Sequence, residues 1–159
     1  MTLSLCFHPL ASFRWKTLMA IYENDTPFTP RLVDRRDEAS RTAFLRLWPI
    51  GKHPVLADAA HDRIVPESRI IIEYLSQHHP GRSRLVPAEP DLARQTRLRD
   101  RFYDFYVHDP MQKIVGDRSR SAGHADAFGV AAATAQLETG HVVEEGDQIF
   151  RHLRNQHQQ

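Results

Sequence analysis

The sequence predicts an α/β domain followed by an all-helical one. Three observations carry this reading. Within the first eighty residues the apolar pattern runs strand, helix, strand, helix, strand, strand, helix. A stretch reading PGRSRLVPAEPD then interrupts it with Pro80, Gly81, Pro87 and Pro90. Beyond that stretch the periodic segments are helical. The predicted division is an α/β domain over residues 1–80, a linker over 81–90 and a helical domain over 91–159.

Each element has its own warrant. Leu3, Leu5 and Phe7 alternate with Ser4, Cys6 and His8, the period of a strand, and Pro9 stops it. Trp15, Leu18, Met19 and Tyr22 then fall at i, i+3, i+4 and i+7, which predicts a helix buried on that face with Ser12 near its N-cap. Residues 28–33 read as a second strand, and Pro30 places it at a sheet edge. Residues 39–47 form a short helix with Phe44, Leu47 and Trp48 inward, broken by Pro49-Ile50-Gly51. Residues 55–57 and 63–65 read as a hairpin around a turn at 58–62. Ser68 starts a helix whose Ile71, Tyr74 and Leu75 share a face.

In the second half, Asp91 is expected to cap a long helix through Leu92, Leu98, Phe102, Phe105 and Tyr106 toward Met111 and Ile114, kinked or broken at Pro110. A polar loop follows over 117–126, then an alanine-rich helix over 129–145 and a polar tail, RHLRNQHQQ.

Composition bounds the function. Of the 159 residues, 41% are hydrophobic and 26% charged, as in ordinary globular chains. Lys and Arg number 21 against 20 acidic residues, a net charge of +1. That excludes strong non-specific attraction to nucleic acid or to an anionic membrane. Cys6 is the single cysteine, so intrachain disulfides, Cys-rich metal sites and CxxC redox chemistry are excluded, and a reducing compartment is expected. The N-terminus has no basic leader, and the longest strongly apolar run, Ile70–Ile72, is far below the ~18 residues of a membrane span. A soluble cytoplasmic protein is the expectation.

Three segments together resemble the cytosolic glutathione transferases. HPLASFRWKTLMAIYE resembles that family's catalytic loop and first helix, LWPIGKHPVL its cis-proline strand, and VPESRIIIEYL its glutathione-binding turn and third helix. The resemblance covers residues 3–79 and extends more loosely through 91–117. It implies a thioredoxin-like N-terminal domain and an all-α C-terminal domain of which about half is expected, because no capping-box helix of the family's type follows. It also implies a homodimer, glutathione as co-substrate, a small hydrophobic electrophile and a role in detoxification.

The resemblance and the chemistry meet at particular residues. A glutathione thiol has a pKa near ~8.5, and a hydroxyl beside a helix N-terminus favours its thiolate. Ser12 is the hydroxyl of this loop and the candidate catalytic residue; the bland alternative is a plain helix cap. The sequence also departs from the family here. Ala11 stands where serine-type members carry Ser, and Arg14 where cysteine-type members carry Cys. Arg14 reads as a solvated first-turn residue or as positive charge for the thiolate. His53 precedes Pro54 in a bond expected to be cis. Its backbone would pair with the cysteinyl part of glutathione beside Val55, as an added strand does.

Glu67 and Ser68 open a helix whose free N–H groups suit the γ-glutamyl carboxylate, with Glu67 facing the α-ammonium. The alternative is an ordinary strand-to-helix turn. Lys52 is placed to reach the glycyl carboxylate or is an exposed loop lysine. No metal is expected, since His78-His79 has no His or acidic partner at metal-ligand spacing. Arg94, Arg97, Arg99 and Arg101 read as a solvated face, some of them available to a dimer interface. Phe102, Tyr103, Phe105 and Tyr106 read as core, near where the hydrophobic substrate site of the family begins. Two other functions remain open: a glutathione-dependent isomerase of the maleylacetoacetate type, and a non-catalytic interaction protein on the same fold.

Overall fold

The structure, a computed structural model, describes residues 2–121 and 123–145. The predicted polar tail lies outside these residues. The chain divides into two compact units, Met1–Ala93 and Arg94–Gln159.

The first unit is a mixed four-stranded sheet between helices, the thioredoxin-like arrangement. Its elements are β1 (Leu3–Phe7), α1 (Arg14–Glu23), β2 (Thr29–Leu32), α2 (Glu38–Leu47), β3 (Val55–Asp58), β4 (Arg63–Pro66) and α3 (Ser68–His78). The strand order is β2-β1-β3-β4. β1 runs parallel to β2, while β1 with β3 and β3 with β4 pair antiparallel. β2 is an edge strand, where Pro30, opposite Leu5, costs the sheet no inner ladder bond.

Alternation along the strands builds two cores. Leu3, Leu5 and Phe7, with Leu56 and Val65, join Leu18 and Ile21 of α1 and Ile71 and Leu75 of α3. On the other face Cys6, Val33 and Val55 meet Phe44 of α2, with Leu47 and Trp48 packed alongside. Leu5, Ile21, Leu56 and Ile71 are fully buried. Burial of each such side chain contributes about 1.5–3 kcal/mol.

The buried face of α1 differs from the one expected. Thr17, Leu18, Ala20 and Ile21 are buried. Trp15, Met19 and Tyr22 face solvent at 55%, 68% and 61% exposure. Apolar residues lie on both sides of this helix, so spacing alone does not choose between them. The small side chains Thr17 and Ala20 allow close packing, and that face turns inward. The N-cap position falls on Phe13, one residue past Ser12, and the Phe13 side chain makes no capping bond.

The stretch after α3 is tied to the end of α1. Asn24 grips the Ser83 backbone from both sides, accepting from its N–H at 2.8 Å and donating to its carbonyl at 3.0 Å. Gly81 passes so close that a Cβ there would lie 2.4 Å from the Asn24 Cβ. Glu89, not Asp91, caps the next helix: its carboxylate accepts from the N–H groups of Asp91 and Leu92 at 2.8 and 2.6 Å.

The second unit continues α4 (Pro90–Phe102) through a π-helical turn (Tyr103–His108) into α5 (Asp109–Asp117), followed by α6 (Ala127–Glu145). The expected break at Pro110 takes the form of this wider turn. The Asp109 N–H reaches back to the Asp104 carbonyl, and Pro110 has no N–H to donate. Gln136 of α6 donates to the Phe105 carbonyl at 3.2 Å. Gly140 lets α6 approach the Tyr106 carbonyl, to which a Cβ would come within 3.1 Å. Tyr103, Phe105 and Tyr106 are exposed at 42%, 45% and 50%, so the expected aromatic core is not formed by these three. Phe102 and Tyr106 instead line a groove of about 420 Å³ with Gln136, Thr139, Gly140 and Val143.

Candidate functional site

Strand register brings the predicted residues to one end of the sheet. Cys6 of β1 lies opposite Val55 of β3, and Val55 lies opposite Pro66 of β4. The C-terminal end of β1, the N-terminal end of β3 and the C-terminal end of β4 therefore share an edge. From them extend, in turn, the loop with Ser12, the Lys52-His53-Pro54 entry and the Glu67-Ser68 turn. β2 ends there too, with the Val33 N–H donating to the Phe7 carbonyl at 2.9 Å.

The loop after β1 is a chain of tight turns. Ala11 N–H donates to the His8 carbonyl, Arg14 N–H to Ala11 and Trp15 N–H to Ser12, at 3.0–3.2 Å. Ser12 is half-buried within it. Arg14 is half-buried as well, which corrects its reading as a solvated residue. Its guanidinium donates to the His8 carbonyl at 3.2 Å and lies over the rings of Phe7 and Trp15 at 5.4 and 4.6 Å.

The His53–Pro54 peptide is cis, as expected. Pro54 and Val55 are buried and Lys52 is exposed. The His53 ring stacks on Phe44 at 4.2 Å and stands 6.4 Å from the His8 ring. Burial, then the charges of Arg35 and His8, push its pKa down to about 4, so it is a neutral imidazole at pH 7. A small cavity of about 190 Å³ lies beside it, lined in part by Arg35, Arg41, Ile50 and Gly51. Sequence reasoning passed over His8, Arg35 and Arg41. The signal was present as a basic run, Arg35-Arg36 and Arg41, around the start of α2.

Glu67 has φ +70° and ψ 122°, a backbone region that L residues with side chains rarely adopt. It is exposed, and it is the residue from which α3 departs. Ser68 behind it is 6% exposed. A strained non-glycine residue beside the first free N–H groups of a helix is an arrangement that favours an anionic ligand. Cys6 is not a rival nucleophile. Burial raises its thiol pKa, against a smaller opposing effect from Arg31, and keeps it protonated.

The opposite end of the sheet holds a second polar group, which corrects the expectation that His79 has no partner. Asp58 Oδ2 accepts from His61 Nδ1 at 2.8 Å, His79 Nε2 at 2.6 Å and the Tyr74 hydroxyl at 3.0 Å. Its Oδ1 accepts from the Ala60 N–H at 3.0 Å. Burial alone would raise the Asp58 pKa, but these hydrogen bonds outweigh it and hold the carboxyl well below the usual range.

Residues 5–83 match the family model of the glutathione S-transferase N-terminal domain. A curated relative, glutathione S-transferase hmp2 from Hypomyces subiculosus, is 32% identical over 77 residues, 48% of this chain and 35% of that protein. The match thus spans about a third of that relative's length. Among solved structures, a glutathione S-transferase from Methylobacillus flagellatus KT with GSH bound superposes with a TM-score of 0.76 at 23% identity, over 87% of this chain and 66% of that one. A glutathione transferase homologue from Sulfitobacter with bound glutathione gives 0.71 at 25% identity, over 91% and 70%. With a matching sheet, matching helices and the family's N-terminal domain over residues 5–83, this chain belongs to the glutathione S-transferase family.

Proposed function

We propose that the chain binds reduced glutathione at the sheet end that carries His53 and Glu67, and transfers its thiolate to a small hydrophobic electrophile. The observation that carries this reading is the pairing of the cis His53–Pro54 entry to β3 with the positive-φ Glu67 at the start of α3. The cysteinyl backbone pairs with His53 beside Val55. The γ-glutamyl carboxylate meets the N-terminus of α3 at Ser68, and its ammonium meets Glu67. Lys52 takes the glycyl carboxylate. Ser12 donates to the sulfur, which attacks the electrophilic carbon as the leaving group departs. A cytoplasmic homodimer belongs to the same reading. Among the described residues no helix is long and apolar enough to cross a membrane.

Calorimetric titration of the folded chain with reduced glutathione tests the binding. Saturable binding that weakens about tenfold or more in Glu67→Ala and in Ser68→Ala is expected. No binding up to millimolar glutathione overturns the reading. With an aryl halide as electrophile, Ser12→Ala is expected to lower the rate while leaving glutathione affinity nearly unchanged. An unchanged rate removes Ser12 from the mechanism. The position of Arg14 favours a second reading, a glutathione-binding interaction protein without turnover, because its guanidinium is committed to the His8 carbonyl. Saturable binding without any conjugation would select it.

A further inference from the structure

We propose that Asp58, His61 and His79 form a binding site for a divalent transition-metal ion, with Zn²⁺ as its occupant. The three residues come from the end of β3, the β3–β4 turn and the C-cap of α3. Folding brings His61 and His79 together although they are eighteen positions apart in the sequence. Asp58 Oδ2, His61 Nδ1 and His79 Nε2 all lie within 4.8 Å of one another. Zn²⁺ bonds to imidazole nitrogen and carboxylate oxygen at about 2.0–2.2 Å, which sets neighbouring donors of a tetrahedron ~3.4 Å apart. The three atoms need only small side-chain rotations to reach that spacing. The imidazoles now point at a common carboxylate oxygen, so an ion would replace hydrogen-bonding protons between the same atoms.

The surroundings fit such a role. Two imidazoles and one carboxylate suit Zn²⁺ with a fourth position left for water. Ca²⁺ and Mg²⁺ call for more oxygen donors than this group supplies. The Asp58 side chain is fully buried, the His79 side chain is 20% exposed and that of His61 is 46% exposed, so the open corner faces solvent on the His61 side. Ala60 N–H and the Tyr74 hydroxyl hold the carboxylate from behind, as outer partners orient metal ligands. Binding moves the proton off each coordinating nitrogen: to the other ring nitrogen of a neutral imidazole, or to solvent from a protonated one. The ion would tie the β3–β4 turn to the end of α3. Along β3, Asp58 lies four residues from Pro54, about 13 Å at the rise of a strand, so the site is separate from the proposed glutathione site.

The test is calorimetric titration of the untagged, chelator-treated full chain with ZnCl₂ in a non-coordinating buffer, without glutathione. One site is expected, with a dissociation constant on the order of 1 μM or tighter, together with a thermal midpoint that rises with added Zn²⁺. His61→Ala and His79→Ala are each expected to weaken binding at least tenfold. Tyr74→Phe should weaken it by about tenfold through the outer partner. His78→Ala should leave it unchanged: that ring packs at a tilt against Tyr74, with centroids 4.4 Å apart, and is outside the donor set. His61 is half exposed, so its variant is expected to fold, and circular dichroism checks this. Absence of binding at 100-fold that concentration overturns the proposal. So does binding that persists in the His61→Ala/His79→Ala double variant, which would place the ion on other histidines.

Discussion

At one end of the sheet the proposed site is built from the backbone; at the other it is built from side chains. His53, Glu67 and Ser68 are set by a cis peptide, a positive φ and the start of a helix. Asp58, His61, Tyr74 and His79 are joined instead by hydrogen bonds converging on one carboxylate. A backbone-built site tolerates many side chains and leaves its groups open to a ligand. A side-chain-built cluster satisfies itself internally and fails when its centre is removed. The two ends should therefore respond differently to substitution and to pH.

The largest expected effect is at the side-chain end. Asp58→Asn keeps the shape but removes the charge that three side chains and one N–H address. Hydrogen bonds to a buried charged group contribute more than neutral ones, and the stranded partners add a desolvation cost. A loss of about 3 kcal/mol in urea unfolding at pH 7 is expected. A loss below about 1 kcal/mol would mean that the cluster behaves like an exposed ion pair, and the contrast between the ends would fail.

A smaller effect, with a defined pH window, is expected at His53. Its ordinary value is 6.5 and the fold pushes it down to about 4. Between these values the unfolded chain binds more protons than the folded one. Stability is thus complete above pH 6.5 and falls as the pH drops toward 4. The ring is partly open to solvent, so the loss is discounted to about 1–2 kcal/mol. His53→Phe keeps the stack on Phe44 and cannot titrate. Comparing urea unfolding of the two proteins at pH 7 and pH 4 isolates the effect, and parallel losses would remove His53 as its source.

The same division explains what could be read from the sequence. β1 announces itself by alternation, Leu3, Leu5 and Phe7 against Ser4, Cys6 and His8. Local motifs such as His53-Pro54 and Glu67-Ser68 lie within consecutive residues, so a backbone-built site is written where it can be read. The face of α1 was not legible, because Trp15, Met19 and Tyr22 are as apolar as the face that packs. Nor was the partnership of His79, since the turn that delivers His61 to it is fixed by pairing of β3 with β4 and packing on α3. Arg35 reaches His53 for a related reason: β2 ends and β3 begins at the same end of the sheet without the two being paired.

The smallest expected effect is the most discriminating, because its two readouts have opposite signs. A non-glycine residue in the backbone region of Glu67 costs on the order of 1–3 kcal/mol. Glu67→Gly removes that strain but adds freedom to the unfolded chain, which takes back about 0.5–1 kcal/mol. A net gain of about 1 kcal/mol in urea unfolding is expected. The same substitution deletes the carboxylate proposed to meet the glutathione ammonium, so affinity should fall about tenfold by calorimetry. Glu67→Ala supplies the control: it loses the same carboxylate, keeps the strain and should weaken binding without any gain in stability. If Gly stabilises and glutathione binding is untouched, Glu67 holds a strained turn and nothing more. If Gly weakens binding while Ala does not, the backbone conformation itself is what the ligand reads. Only a gain in stability for Gly alone, with weaker binding in both, assigns the strain and the carboxylate to one functional residue.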